Sequence, residues 1–210
     1  MTTSELRLAA HDLACLRGGR LVFEGLSFAV ARGEALVLTG ANGSGKSSLL
    51  RQIAGLLEIA HGTIALEGGD SERTIGEQVH YVGHLDALKP SMNVAETLRF
   101  WTEYLGGGRN EAAVAHALDA FALASLADLP VGYLSAGQRR RLSLARVLAV
   151  PRPLWLLDEP TVALDAANTA RLLDLMNVHL VSGGLIVAAT HLDLGLVPAR
   201  MLRLGEEVAA

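Results

Sequence analysis

Eight consecutive residues, Gly40-Ala41-Asn42-Gly43-Ser44-Gly45-Lys46-Ser47, fit the phosphate-loop pattern G-x-x-x-x-G-K-[ST]. Each residue type has a chemical reason. The glycines let the backbone curl until several N–H groups face one point. A helix starting at the loop adds the positive end of its dipole. Lys46 can reach the outer phosphates of a nucleotide, and the Ser47 hydroxyl can ligate Mg²⁺. With Ser48, the stretch Gly40–Ser48 is the expected seat of a nucleotide's phosphates and their Mg²⁺.

About 110 residues further on, the apolar run Leu154-Trp155-Leu156-Leu157 ends in Asp158 and Glu159. Asp158 stands where a second Mg²⁺ contact, through water, is needed. Glu159, the next residue, is the candidate to orient and deprotonate attacking water. Between the two sites, Leu134-Ser135-Ala136-Gly137-Gln138 contains the capping box S-x-x-Q. A capped helix N-terminus with small residues beside it can also grip phosphate. Arg139, Arg140 and Arg141 follow and read as a solvated basic face.

The elements that must position these residues alternate between strand and helix. Leu6, Leu8 and Ala10, then Leu21, Phe23, Leu26, Phe28 and Val30, read as hairpin-like strands around Gly18-Gly19. Ala35–Thr39, Ile64–Leu66, Val79–Val82, Leu154–Leu157 and Leu185–Ala189 read as further short strands. Helical patterns cover Gly45–Leu56, about Asn93 to Ala127, Gln138–Val150 and Ala166–Leu180. Within the second of these, Phe100, Trp101, Tyr104 and Leu105 form one face, and Ala113, Leu118 and Phe121 another. Gly106-Gly107-Gly108 reads as a loop between helices. The expected class is α/β: a P-loop core sheet, an N-terminal antiparallel β subdomain, and an inserted α-helical subdomain at roughly 85–150, in a single domain over 1–210.

Composition bounds the partners. The chain has 210 residues, 50% of them hydrophobic, with a mean hydropathy of +0.33, enough for a sizeable core. Its formal net charge of −4 and pI near 6.0 give no global basic field, so no nucleic-acid partner is expected. No apolar run approaches a membrane span, and the start lacks the features of a signal peptide. One cysteine, Cys15 in an apparent strand, excludes an internal disulfide framework. The histidines are scattered, and no haem site is identified.

The phosphate loop, Leu-Ser-Ala-Gly-Gln, Leu-Leu-Asp-Glu-Pro, Ala-Leu-Asp and Thr-His occur in that order between Gly40 and His191. Together they resemble an ATP-binding cassette (ABC) ATPase over essentially the whole chain. The resemblance implies ATP and Mg²⁺ as bound groups and a head-to-tail dimer with a second copy. In that dimer Leu134, Ser135, Ala136, Gly137 and Gln138 contact ATP held by the other copy. It implies that Asp165 is the D-loop residue at the interface and that His191 contacts the γ-phosphate. Two positions depart from the pattern. The adenine-stacking aromatic falls at Arg17, whose guanidinium plane is the stand-in. The sensor-loop Gln is His84, whose neutral imidazole can accept a hydrogen bond from water.

Tyr81-Val82-Gly83-His84, Leu-Lys-Pro-Ser-Met-Asn-Val-Ala-Glu-Thr-Leu-Arg-Phe-Trp and Leu-Ser-Ala-Gly-Gln-Arg-Arg-Arg look like the CcmA type, the ATPase of cytochrome c biogenesis and haem export. That resemblance implies a CcmB-type membrane subunit, with CcmC- and CcmD-type subunits nearby. It also implies a peripheral place on the cytoplasmic face of the bacterial inner membrane. The alternatives are the cassette of an exporter with another cargo and a soluble non-transport ABC ATPase. A P-loop kinase or GTPase is disfavoured by Leu134–Gln138 and by the lack of an Asn-Lys-x-Asp guanine motif.

Overall fold

A computed structural model describes residues 5–205. The elements are β1 (Arg7–Arg17), β2 (Arg20–Ala31), β3 (Ala35–Thr39), α1 (Lys46–Ile53), β4 (His61–Glu67) and β5 (Val79–Val82), followed by α2 (Val94–Tyr104), α3 (Glu111–Ala120) and α4 (Ala136–Ala149), and then β6 (Leu154–Asp158), α5 (Ala166–Val181), β7 (Leu185–Ala189) and β8 (Ala199–Arg203). They divide into two compact units. One takes Pro153–Glu159 and the described residues of Met1–Gly83 and Met176–Ala210. The other takes His84–Arg152 and Pro160–Leu175.

In the first unit, β2-β1-β4 form an antiparallel sheet and β5-β6-β7-β3-β8 a parallel one. β1 and β2 are a hairpin closing at the pair Arg17↔Arg20. Gly18 and Gly19 have φ of 55° and 78°, as a two-residue type I′ turn requires. β3, β6 and β7 are apolar at almost every position because both faces of the sheet are covered. Leu36, Leu38, Leu154, Leu156 and Val187 join Leu49, Leu50 and Ile53 of α1 in one core. Each such fully buried leucine contributes about 2 kcal/mol through apolar area alone. That packing fixes α1, and with it the loop before α1.

The second unit is helical. Asn93 caps α2 and Ser135 caps α4, each in a full capping box with Glu96 and Gln138. The helical pattern expected from Asn93 to Ala127 is two helices broken at Gly106–Gly108, with short 3₁₀ turns after α3. The aromatic face expected on α2 forms, with the rings of Phe100, Trp101 and Tyr104 in mutual contact, and it is turned outward. Phe100 and Tyr104 are 50% and 71% exposed, whereas Val94, Leu98 and Thr102 are buried. The basic face expected at Arg139–Arg141 is corrected. Only Arg139 is exposed; Arg140 is buried, and Arg141 donates to the Phe121 and Ala122 carbonyls at 2.8 and 2.9 Å. These carbonyls lie at the end of α3, where Ala122 takes φ 51° and ends the helical hydrogen bonding. β8 carried no signal in the sequence; it pairs with β3 from Ala35↔Ala199 to Thr39↔Arg203.

Candidate functional site

In a parallel sheet, ligands bind beyond the carboxyl ends of the strands. Here β3 runs into the phosphate loop, β6 ends at Asp158, and β7 leads through Thr190 to His191. The register sets these ends level: Asp158 and Leu38 both pair with Ala189. The Glu159 N–H donates to the Ala189 carbonyl at 2.8 Å, and Thr190 N–H to the Leu38 carbonyl at 3.2 Å. Sheet hydrogen bonding thus holds all three loops in place.

The phosphate loop is tightly curled around the Lys46 side chain. Lys46, 8% exposed, donates from Nζ to the carbonyls of Gly40 at 2.8 Å and Ala41 at 3.1 Å. A Cβ on Gly40 would overlap the Leu204 carbonyl and lie 2.9 Å from Ser44 Oγ, so only glycine fits there. Ser44 Oγ is buried and makes no hydrogen bond among the described residues. A buried hydroxyl without a partner is costly unless an acceptor reaches it. A phosphate oxygen at the mouth of α1 would be such an acceptor. Ser48 hydrogen-bonds toward Cys15, whose thiol is pushed up by burial and drawn down less by Ser48 and Arg17.

Asp158 is 3% exposed at the end of β6. Glu159 breaks from the strand with φ 47°, a left-handed conformation that a non-glycine residue adopts only when its surroundings impose it. His191 Nε2 donates to Asn42 Oδ1 at 3.1 Å and lies 3.6 Å from Glu159 Oε1. One imidazole therefore spans the phosphate loop and the candidate base. Ser47 and Asp158 offer a hydroxyl and a carboxylate, a hard oxygen pair that suits Mg²⁺ with water and phosphate supplying the remaining ligands.

In the helical unit, the Ser135–Gln138 box is closed in both directions. Ser135 Oγ accepts from Gln138 N–H at 3.2 Å, and Gln138 Oε1 from Ser135 N–H at 2.8 Å. A Cβ on Gly137 would stand 2.7 Å from the Ala163 carbonyl oxygen. Asp165 accepts from Asn168 N–H at 2.8 Å at the start of α5. That bond holds the Asp165 carboxyl below the usual carboxylate range. His84 is exposed after Gly83, and Arg17 is exposed at the hairpin end of β1.

Residues 23–162 match the ABC transporter family. The chain belongs to that family. An ABC protein from Nitrobacter winogradskyi, named cytochrome c biogenesis ATP-binding export protein CcmA, is 56% identical over 200 residues, covering 95% of this chain and 98% of its own. A relative of the same name from Rhodopseudomonas palustris strain BisB18 is 61% identical with the same coverage. Within the ABC family this chain is therefore of the CcmA type. A solved ATP-binding subunit of an ABC transporter superposes with a TM-score of 0.82 at 27% identity, covering 94% of this chain and 87% of that one. As an ABC protein the chain binds ATP. Among the described residues no helix is long and apolar enough to cross a membrane.

The sequence reading misses Asp86 and places Arg140 on a solvated face, whereas the structure buries it. Asp86 sits in no motif, and nothing in Arg139-Arg140-Arg141 separates a buried arginine from its exposed neighbour.

Proposed function

We propose that this chain is the ATP-hydrolysing subunit of a membrane ABC complex for cytochrome c maturation, working in haem export or in release of a haem-loaded chaperone. The observation that carries the ATPase reading is the Asn42–His191–Glu159 arrangement beside the curled phosphate loop. The near full-length likeness to proteins named for cytochrome c biogenesis supports the pathway.

In this reading Gly40, Ala41, Asn42, Gly43, Ser44, Gly45, Lys46, Ser47 and Ser48 hold the triphosphate. Lys46 exchanges its bonds to two loop carbonyls for phosphate oxygens, and Ser44 Oγ gains its missing partner. Mg²⁺, when bound by Ser47 and, through water, Asp158, neutralises phosphate charge. Glu159 accepts the proton of the attacking water. His191 moves from Asn42 to the γ-phosphate and keeps Glu159 oriented. The capped helix end at Leu134, Ser135, Ala136, Gly137 and Gln138 closes on the nucleotide of a second copy, with Asp165 at the interface. His84 takes the place of the sensor residue, and Arg17 that of the adenine-stacking residue. The complex includes a CcmB-type membrane subunit with CcmC- and CcmD-type subunits. The chain sits peripherally on the cytoplasmic face of the bacterial inner membrane.

Glu159→Gln tests the chemistry. General-base loss costs on the order of 10²–10⁴ in kcat. ATP binding should persist and an ATP-dependent dimer should accumulate. Turnover at the wild-type rate would remove Glu159 from its role.

A further inference from the structure

Three consecutive arginines open α4, and they have three different fates. Arg139 faces solvent, and Arg141 ties α4 to the end of α3. Arg140 is 4% exposed and donates from Nη1 to Asp86 Oδ1 at 3.3 Å, with the Asp86 side chain 28% exposed. Asp86 lies two residues after His84, and Arg140 two residues after Gln138. The residue after Asp86, Ala87, takes φ 52°. A non-glycine residue in that conformation needs its flanks fixed. A buried ion pair adds little net stability compared with apolar side chains of the same volume, but it can fix how two segments register.

We propose that Asp86–Arg140 is a positioning pair: it holds the segment after His84 in register with the Leu134–Gln138 helix, so that the sensor segment and the signature keep one arrangement during turnover. The proposal rests on the roles given above to His84 and Leu134–Gln138.

The test uses the full chain with Asp86→Asn and with Arg140→Met, which keeps the buried volume and removes the charge. Four quantities are read: melting temperature, Kd for a fluorescent ATP analogue, kcat, and ATP-driven dimer formation in a Glu159→Gln background. Removing one partner leaves the other charge partly buried without this counter-charge, so both variants melt lower than wild type. At a temperature where they stay folded, the expected result is an unchanged Kd, with kcat and dimer formation per folded protein each reduced about fivefold, the scale of a positional coupling. Arg140→Met is the sharper variant. A pair that only stabilises the fold would leave the folded fraction of Arg140→Met fully active. Wild-type kcat and dimerisation in a folded Arg140→Met or Asp86→Asn protein overturns the proposal. So does a loss of kcat that follows only the loss of folded protein. If the wild type itself hydrolyses no ATP, the reading beneath the proposal fails, and the proposal with it.

Discussion

Replacing Gly137 with alanine would place one methyl group 2.7 Å from the Ala163 carbonyl oxygen. A backbone oxygen cannot swing aside as the end of a long side chain can. Either the first turn of α4 lifts, or the Ala163 turn, held at φ 64°, opens. Position 136 is the internal control, because Ala136 already carries a methyl group there and is exposed. Overpacking of this kind costs about 1–3 kcal/mol. Part of that strain falls on the fold, since the close approach is already present; the part that the displaced first turn of α4 carries into closure on nucleotide lowers rate or assembly, by up to roughly 150-fold. The assay compares Gly137→Ala with Ala136→Gly in kcat and in ATP-driven dimerisation of the Glu159→Gln protein. Monomer ATP affinity should stay the same, because Gly137 is not in the phosphate loop. Gly137→Ala with wild-type turnover and dimerisation would refute the claim that this close approach matters.

Lys46→Ala removes a charged donor from the phosphate loop, and hydrogen bonds to charged groups are worth about 1.5–3 kcal/mol; ATP affinity should fall by about 10- to 150-fold in equilibrium binding. His191→Ala should lower kcat more than affinity, whereas Asn42→Ala, which removes the side-chain partner of His191 but keeps the loop backbone that faces phosphate, should change kcat less; steady-state kinetics separates the two. His179 stacks on Trp155 with centroids 4.0 Å apart, and burial holds its imidazole below the ordinary histidine range. The fold therefore favours the neutral ring, so this stability is present above an unfolded pKa of about 6.5 and is lost as pH falls through the folded pKa, at up to about 1.4 kcal/mol per pH unit. Urea midpoints at pH 7.5 and 5.5 should converge in His179→Phe relative to wild type.

The sequence shows the site more clearly than its supports. Gly40, Lys46 and Ser47 are legible because backbone curvature, phosphate charge and metal ligation each demand one residue type at one spacing. The buried strands are legible because a sheet covered on both faces is apolar throughout. The outward turn of Phe100 and Tyr104 is not legible, since periodicity gives a face but not its direction. Arg140 shows the same limit for charge: only its packing against Asp86 distinguishes it from Arg139. β8 was missed because Ala-Arg-Met-Leu-Arg is mixed, as suits an edge strand, and its pairing to β3 is decided by tertiary contacts.

The most direct test of the central claim is a haem stain of membrane proteins from the source organism with this gene deleted, then complemented with wild type or Glu159→Gln. The expected result is loss of covalently bound haem in c-type cytochromes, restored by wild type and not by Glu159→Gln. Normal c-type cytochromes in the deletion strain would contradict the maturation role and leave an ABC ATPase with another task. Restoration by Glu159→Gln would contradict the requirement for hydrolysis at this residue.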